Sequence, residues 1–272
     1  MGNVVIPYWG SGIQLEHEAD RITNGVTGIH LYLNAGKRSS MTPEGTGVEL
    51  DQISDLSGNF ADVDIAPSGV ETPLIVENQL NGESILQFDA GEGDDIDIGD
   101  NTHHTLLHDG SPFRLYSILN LHTTPASTLF NIATRAGADL NGFFLAIDPT
   151  TRFIRCTARE GGVGNLYSLV SGTGIALDTW NKIAFHYRGY NHATLNDAQI
   201  YLNGTSIGAI GTSNDRGDGG NSSFALGIQT VGSLEDCDYA MVLFVNDTGK
   251  SDSQVSNEDA LIQDVISNLF AL

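Results

Sequence analysis

Apolar and polar residues alternate with a period of two along much of the second half of the chain, the pattern of a strand with one buried face. In residues 181–188, Ile183, Phe185 and Tyr187 fall on one side, with Lys182, Ala184, His186 and Arg188 on the other. This predicts a half-buried strand, entered after Trp180. Ala198, Ile200 and Leu202 alternate in the same way with Gln199 and Tyr201, and Asn203-Gly204 follows, the pair a two-residue type I′ turn prefers. A hairpin is predicted there. Further strand-like runs lie at 28–33, 115–121, 143–147, 152–157, 166–170, 224–229 and 239–245. The last is apolar throughout, as in a central strand covered on both faces. Helical spacing is clear only near the end, at Leu261, Ile262, Val265, Ile266, Leu269 and Phe270. Ser256 and Asp259 form an approximate capping box, which predicts a helix start near Asn257.

Many short strands joined by Gly, Asn and Asp turns, with little helix, predict an all-β sandwich rather than an alternating α/β fold. The 272 residues include 32 Gly, and 40% are hydrophobic, enough for one large core. A seam near 24–27 separates an N-terminal arm, residues 1–26, from one domain, 27–272. Cys156 and Cys237 lack any metal-binding spacing. They read as two small buried thiols, or as a single bridge, and a reducing site of synthesis fits. The N-terminus shows no basic region followed by an apolar run, so no signal peptide is expected. No apolar stretch approaches the ~18 residues of a membrane helix.

Charge narrows the partners. Lys and Arg number 12 against 34 Asp and Glu, a formal net charge of −22. So negative a field repels phosphate, which argues against nucleic acid or an anionic membrane as the main partner.

Several motifs taken in order resemble one known family. They are Gly28-Ile29-His30-Leu31-Tyr32-Leu33-Asn34-Ala35-Gly36, Ser39-Ser40, Asp55-Leu56-Ser57-Gly58-Asn59, residues 73–78 with Asn81-Gly82, and Phe88-Asp89 with Gly93-Asp94-Asp95-Ile96 after a small insertion. Together with Trp180, the 201–204 hairpin, residues 224–229 and the terminal strand and helix, this pattern resembles a laminin G-like domain of the concanavalin A-like lectin and glucanase superfamily. The variety is the one common in phage and bacterial surface proteins. The resemblance covers roughly residues 27–272 and implies a concanavalin A-like jelly roll of two antiparallel sheets with a short C-terminal helix. It implies that loops or a concave face bind glycans, peptides or calcium. The motifs themselves are structural, with Asp55 expected to cap the turn it opens.

Candidate chemistry is sparse. The paired carboxylates of a retaining glucanase, Glu-x-Asp-x-x-Glu, are absent from the sequence. Glu16-His17-Glu18-Ala19-Asp20 has the wrong spacing and precedes the sandwich, so no catalytic residue is assigned and an enzyme is not expected. Asp89, Glu92, Asp94, Asp95, Asp97 and Asp100, and separately Glu235, Asp236 and Asp238, are solvated turn carboxylates or a calcium site. Calcium is thus the one cofactor in question. His103, His104 and His108 read as surface histidines and Arg216-Gly217-Asp218 as a chance tripeptide. A sugar site needs exposed rings beside amide and carboxylate groups. Tyr190, Asn191 and His192 form such a polar-aromatic loop, and Tyr167 and Tyr201 are further candidates on strand faces.

In the arm, Val4-Val5-Ile6-Pro7-Tyr8-Trp9 is apolar and needs covering. The arm is expected either to add a strand to its own sandwich or to clamp a neighbour, with Ile6, Tyr8 and Trp9 as docking residues. The leading expectation is a non-enzymatic surface protein of a tailed-phage virion, made in the host cytoplasm. Its partners would be capsid or tail subunits, its state a homo-oligomer, and its ligand a cell-surface glycan. The alternative is a free carbohydrate-binding adhesion domain, calcium-dependent or not. A polysaccharide hydrolase is the third class.

Overall fold

The computed structural model describes residues 10–44, 48–59, 62–64, 72–89, 95–100, 106, 110–123, 129–135, 142–160, 164–211, 213, 223–227 and 236–272. The elements are α1 (Gly10–Gly25), β1 (Ile29–Asn34), β2 (Met41–Pro43), β3 (Leu50–Ser54), β4 (Asp62–Asp64), β5 (Leu74–Leu80), β6 (Glu83–Phe88), β7 (Asp95–Asp100), β8 (Phe113–Leu121) and β9 (Leu129–Arg135). There follow β10 (Gly142–Ile147), β11 (Phe153–Glu160), β12 (Gly164–Gly174), β13 (Trp180–Tyr187), β14 (Ala198–Leu202), β15 (Thr205–Ile210), β16 (Ser223–Gly227), β17 (Cys237–Asn246) and α2 (Asp252–Phe270).

One sheet runs β15-β14-β13-β8-β17-β6-β5, with β1 also on β17, and the second runs β12-β11-β10-β9-β16-β7. Every pairing between these strands is antiparallel. Leu115, Leu119, Phe185, Val242 and Phe244 point inwards and share one apolar core with Phe143, Leu145, Ile154 and Tyr167 of the second sheet. Cys156 and Cys237 are free thiols buried in this core.

The outer face of the first sheet is also covered. Tyr116, Ile118, Leu243 and Val245 point outwards into a second apolar layer with Ile262, Val265, Ile266, Leu269 and Phe270 of α2. β17 is therefore buried on both sides, which explains its apolar run. The same helix overturns the half-buried reading of β13. Its outward residues Lys182, Ala184 and His186 are buried beside α2, although they were expected to face water.

The helices also differ from expectation. α2 begins at Asp252, not near Asn257, because Ser251 and Gln254 supply the capping box: Ser251 Oγ accepts from the Gln254 amide at 3.4 Å, and Gln254 Oε1 accepts from the Ser251 amide at 3.0 Å. Residues 10–25 of the arm are helical, not the extra strand considered above. Ala19, Ile22 and Val26 join the α2 layer, and Arg21 donates to Asp264 at 2.7 Å. Ile6, Tyr8 and Trp9 lie outside the described residues.

Turn chemistry agrees closely with the sequence. Asp55 accepts from the amides of Tyr32, Ser57 and Asn59 at 2.8, 3.0 and 3.2 Å, so it caps its turn and ties it to β1. Gly28 enters β1 at φ +66°, and a Cβ there would sit 2.6 Å from the Asn246 carbonyl oxygen. Backbone cannot yield as a side chain can. Gly28→Ala is expected to cost about 1–3 kcal/mol of stability, measured by denaturant unfolding.

Glu83 stands in the same outer layer with its Oε1 buried and without a hydrogen-bond partner. Burial pushes this carboxyl from 4.5 up to about 7. A proton is therefore held more tightly in the folded state. Its stabilising effect is complete below pH 4.5 and is lost as pH rises towards 7. Glu83→Gln is expected to melt higher than wild type at pH 8 and to lose that advantage at pH 5, by thermal unfolding at both pH values.

Candidate functional site

A groove lies between α2 and the outer face of β13 and β14. Residues on one side of the helix pack on the sheet, while Asp252, the neighbours Val255 and Ser256, Asp259 and Gln263, one step per helical turn, face the opening. The main cavity is about 400 Å³ and is lined also by Arg114, His186, Arg188, His192, Leu195, Tyr201 and Lys250. An inner recess of about 190 Å³ shares His186, Tyr201 and Asp259 with it and adds Lys182, Ala184, Gly204 and Gln263.

Strand register sets the floor. Ala184 pairs with Tyr201 and His186 with Gln199, so the half-buried Tyr201 ring lies against the His186 imidazole, centroids 5.0 Å apart. The Asn203-Gly204 turn closes this floor with φ of 49° and 79°, as type I′ requires. Asn203 pins it to β13, its Oδ1 accepting from the Lys182 amide at 2.8 Å.

Asp259 accepts from the Tyr116 hydroxyl at 2.6 Å and from Gln263 Nε2 at 3.4 Å. His186 Nε2 lies 3.8 Å from the same carboxylate, too far for a hydrogen bond, and is buried without a partner. Burial dominates its titration, lowering it to about 4, so the imidazole is neutral at neutral pH. Burial also lowers the pKa of Lys182, against the attraction of Asp259.

A buried ionic cluster anchors the helix end of the groove. The Arg114 guanidinium, 1% exposed, donates to both Asp247 oxygens at 2.7 and 2.9 Å, to Glu258 at 2.7 Å and to the Val255 carbonyl at 3.1 Å. Lys250 bridges Glu258 at 2.7 Å, Asp247 at 3.0 Å and the Thr27 carbonyl at 2.6 Å. Burial alone would raise the Glu258 carboxyl, but bonds from Lys250, Thr27 and Arg114 outweigh it and hold the pKa at about 2.

The opposite wall is the loop between β13 and β14. Buried Asp197 accepts from the amides of Asn191 and His192 at 2.7 Å each and of Ser213 at 2.6 Å. Burial opposes ionisation of Asp197, yet these amides keep its pKa below the ordinary carboxylate value. His192 Nδ1 accepts from the amides of Thr194 and Leu195, and its Nε2 lies 3.2 Å from an Asp252 carboxylate oxygen across the groove mouth.

No family of known proteins matches this sequence, and no curated protein does. Solved structures do match. The binding domain of Paraclostridial Mosquitocidal Protein 1 superposes with TM-score 0.59 at 14% identity, over 89% of this chain and 53% of that one. Domain 4 of AbnA, an extracellular arabinanase of Geobacillus stearothermophilus in complex with arabinotriose, gives 0.53 at 15% identity, over 85% of this chain and 97% of that one. Trypanosoma rangeli sialidase in complex with the inhibitor DANA gives 0.56 at 12%, over 93% and 38% respectively. The fold is a jelly-roll β-sandwich. The sandwich spans about half the length of the mosquitocidal binding domain and less of the sialidase, so those likenesses concern architecture.

Of the residues singled out in the sequence, His192 lines the groove of this sandwich and Tyr201 forms its floor. Tyr190 is 48% exposed on the loop outside the lining, and Asn191, at φ 54°, serves through its amide to hold the loop on Asp197. Tyr167 is excluded as a sugar contact, because it lies in the inter-sheet core. Lys182, His186 and Asp259 were not foreseen. Their signal is a lysine and a histidine on a strand face that α2 covers.

Among the acidic candidates, Asp238 is buried and faces His122, Nε2 to Oδ2 2.8 Å. Asp178 flanks the other imidazole nitrogen at 3.2 Å. Burial disfavours the charged ring, but the two carboxylates prevail and raise the pKa of His122. Glu92, Asp94, Glu235, His103, His104, His108 and Arg216-Gly217-Asp218 lie outside the described residues. Among the described residues no three His, Cys, Asp or Glu groups cluster as a metal site, and no helix is long and apolar enough to cross a membrane.

Proposed function

We propose that this sandwich is a carbohydrate-binding adhesion domain that holds a glycan segment in the groove between α2 and the β13–β14 hairpin, without cleaving it. The observation that carries the reading is the composition of the groove. A half-buried tyrosine ring, a neutral imidazole, an amide and both signs of charge converge on a cavity of about 400 Å³ and its inner recess. Such a surface offers an apolar platform together with donors and acceptors for hydroxyl groups. The likeness to an arabinanase domain holding arabinotriose supports it. These findings favour the adhesion domain over the virion protein, for which the groove offers no specific argument. Weak single sites would gain avidity from several copies on one surface.

Native electrophoresis through gels containing bacterial or plant polysaccharides tests the reading, with a reducing-sugar assay on the same mixtures. The domain is expected to be retarded by at least one polysaccharide and to release no reducing ends. Release of reducing ends, or free migration through every polysaccharide, would overturn it.

A further inference from the structure

Resting on the glycan-binding reading, we infer that the inner recess is a subsite for one neutral sugar residue, seated on Tyr201, with hydroxyl groups bridging Lys182 and Asp259. The recess holds a donor and an acceptor that have not collapsed on each other. Lys182 and Asp259 both line it and feel each other's charge, yet their charged atoms do not meet within the 4.0 Å of an ion pair. The lysine is only 8% exposed, and among the described residues its side chain has no hydrogen-bond or ion-pair partner. An ammonium only donates and a carboxylate only accepts, whereas a hydroxyl does both. One hydroxyl, or two on adjacent carbons, completes this pair as an ion of either sign cannot. Asp259 is fixed for the purpose by Tyr116 at 2.6 Å, and Tyr201 supplies the flat wall.

Charge selects against acidic sugars. Four of the chain's 12 basic residues, Arg114, Lys182, Arg188 and Lys250, line the groove with only three of its 34 acids, Asp247, Asp252 and Asp259. Glu258, bonded to Arg114 and Lys250, brings the two signs into balance. The groove is thus locally neutral within a molecule of net charge −22. A uronate would meet the Asp259 carboxylate beside Lys182 and would cross a repulsive field to arrive. A neutral residue meets neither obstacle.

Calorimetric titration at low ionic strength tests this with arabinotriose and cellotriose as neutral probes and trigalacturonate as the acidic one. At least one neutral probe is expected to bind at least tenfold more tightly than trigalacturonate. Lys182→Met, which removes the ammonium and keeps the volume, is expected to weaken the neutral probe tenfold or more while melting no lower than wild type. Preference for trigalacturonate, or unchanged neutral binding by a folded Lys182→Met protein, overturns the subsite and leaves the glycan-binding reading standing. Failure of all three probes, together with free migration in the polysaccharide gels, overturns both.

Discussion

Arg114→Met is expected to destabilise the domain by about 3–5 kcal/mol, the usual consequence of removing one partner from a buried ion pair. In a domain of this size that lowers the melting temperature by roughly 6–20 °C. The substitution strips three hydrogen bonds to carboxylates, one to the Tyr116 hydroxyl and one to the Val255 carbonyl at the start of α2, leaving Lys250 against Asp247 and Lys250 with Thr27 against Glu258. Arg114→Lys, which keeps the charge and loses the planar fork, should fall between the two. The effect has a pH signature. Glu258, ordinarily at 4.5 and held here at about 2, stabilises the fold fully above pH 4.5 and progressively less as pH falls towards 2. The gap between Arg114→Met and wild type should therefore narrow in acid. Denaturant unfolding at pH 7 and pH 3 measures both, and a change below 1 kcal/mol at neutral pH would mean that the cluster does not anchor the helix.

Tyr201→Ala should abolish most glycan affinity. Loss of a central aromatic contact typically costs about 2 kcal/mol, which corresponds to roughly thirtyfold in Kd. Tyr201→Phe retains the ring and should bind within about threefold of wild type if the ring, not the hydroxyl, is the platform. Because Tyr201 is only half-buried at the edge of the outer layer, both variants should fold, which circular dichroism checks. Equal binding by Tyr201→Ala and wild type would remove the ring from the site.

The hairpin at Asn203-Gly204 and the fully buried β17 were legible because each depends on local sequence: a turn that demands positive φ, and a run with no polar member. The start of α2 was also written in the chain, as Ser251 and Gln254, but the apolar spacing that draws attention begins later, at Leu261 and Ile262. α1 was not legible. It opens on Gly10-Ser11-Gly12, poor helix formers, and among its described side chains the buried apolar ones are Ala19 and Ile22. Its packing on α2, through contacts such as Arg21 to Asp264, is long-range. The groove was hidden for a related reason. Its walls come from β8, β13, β14 and α2, which no spacing rule connects, and β13 read as half-exposed because a helix distant in sequence covers its outer face. His192 and Tyr201 stood out as a polar loop residue and an outward ring. The roles of Lys182, His186 and Asp259 exist only once the helix lies across the sheet.

The most direct test of the account is a backbone amide chemical-shift map of the 15N-labelled domain titrated with whichever oligosaccharide binds in calorimetry. Saturable shifts gathered on Lys182 to Gly204 and on Asp252 to Gln263 would place the ligand between helix and hairpin, as the account predicts. Shifts confined to the opposite sheet, with these two segments unmoved, would contradict it.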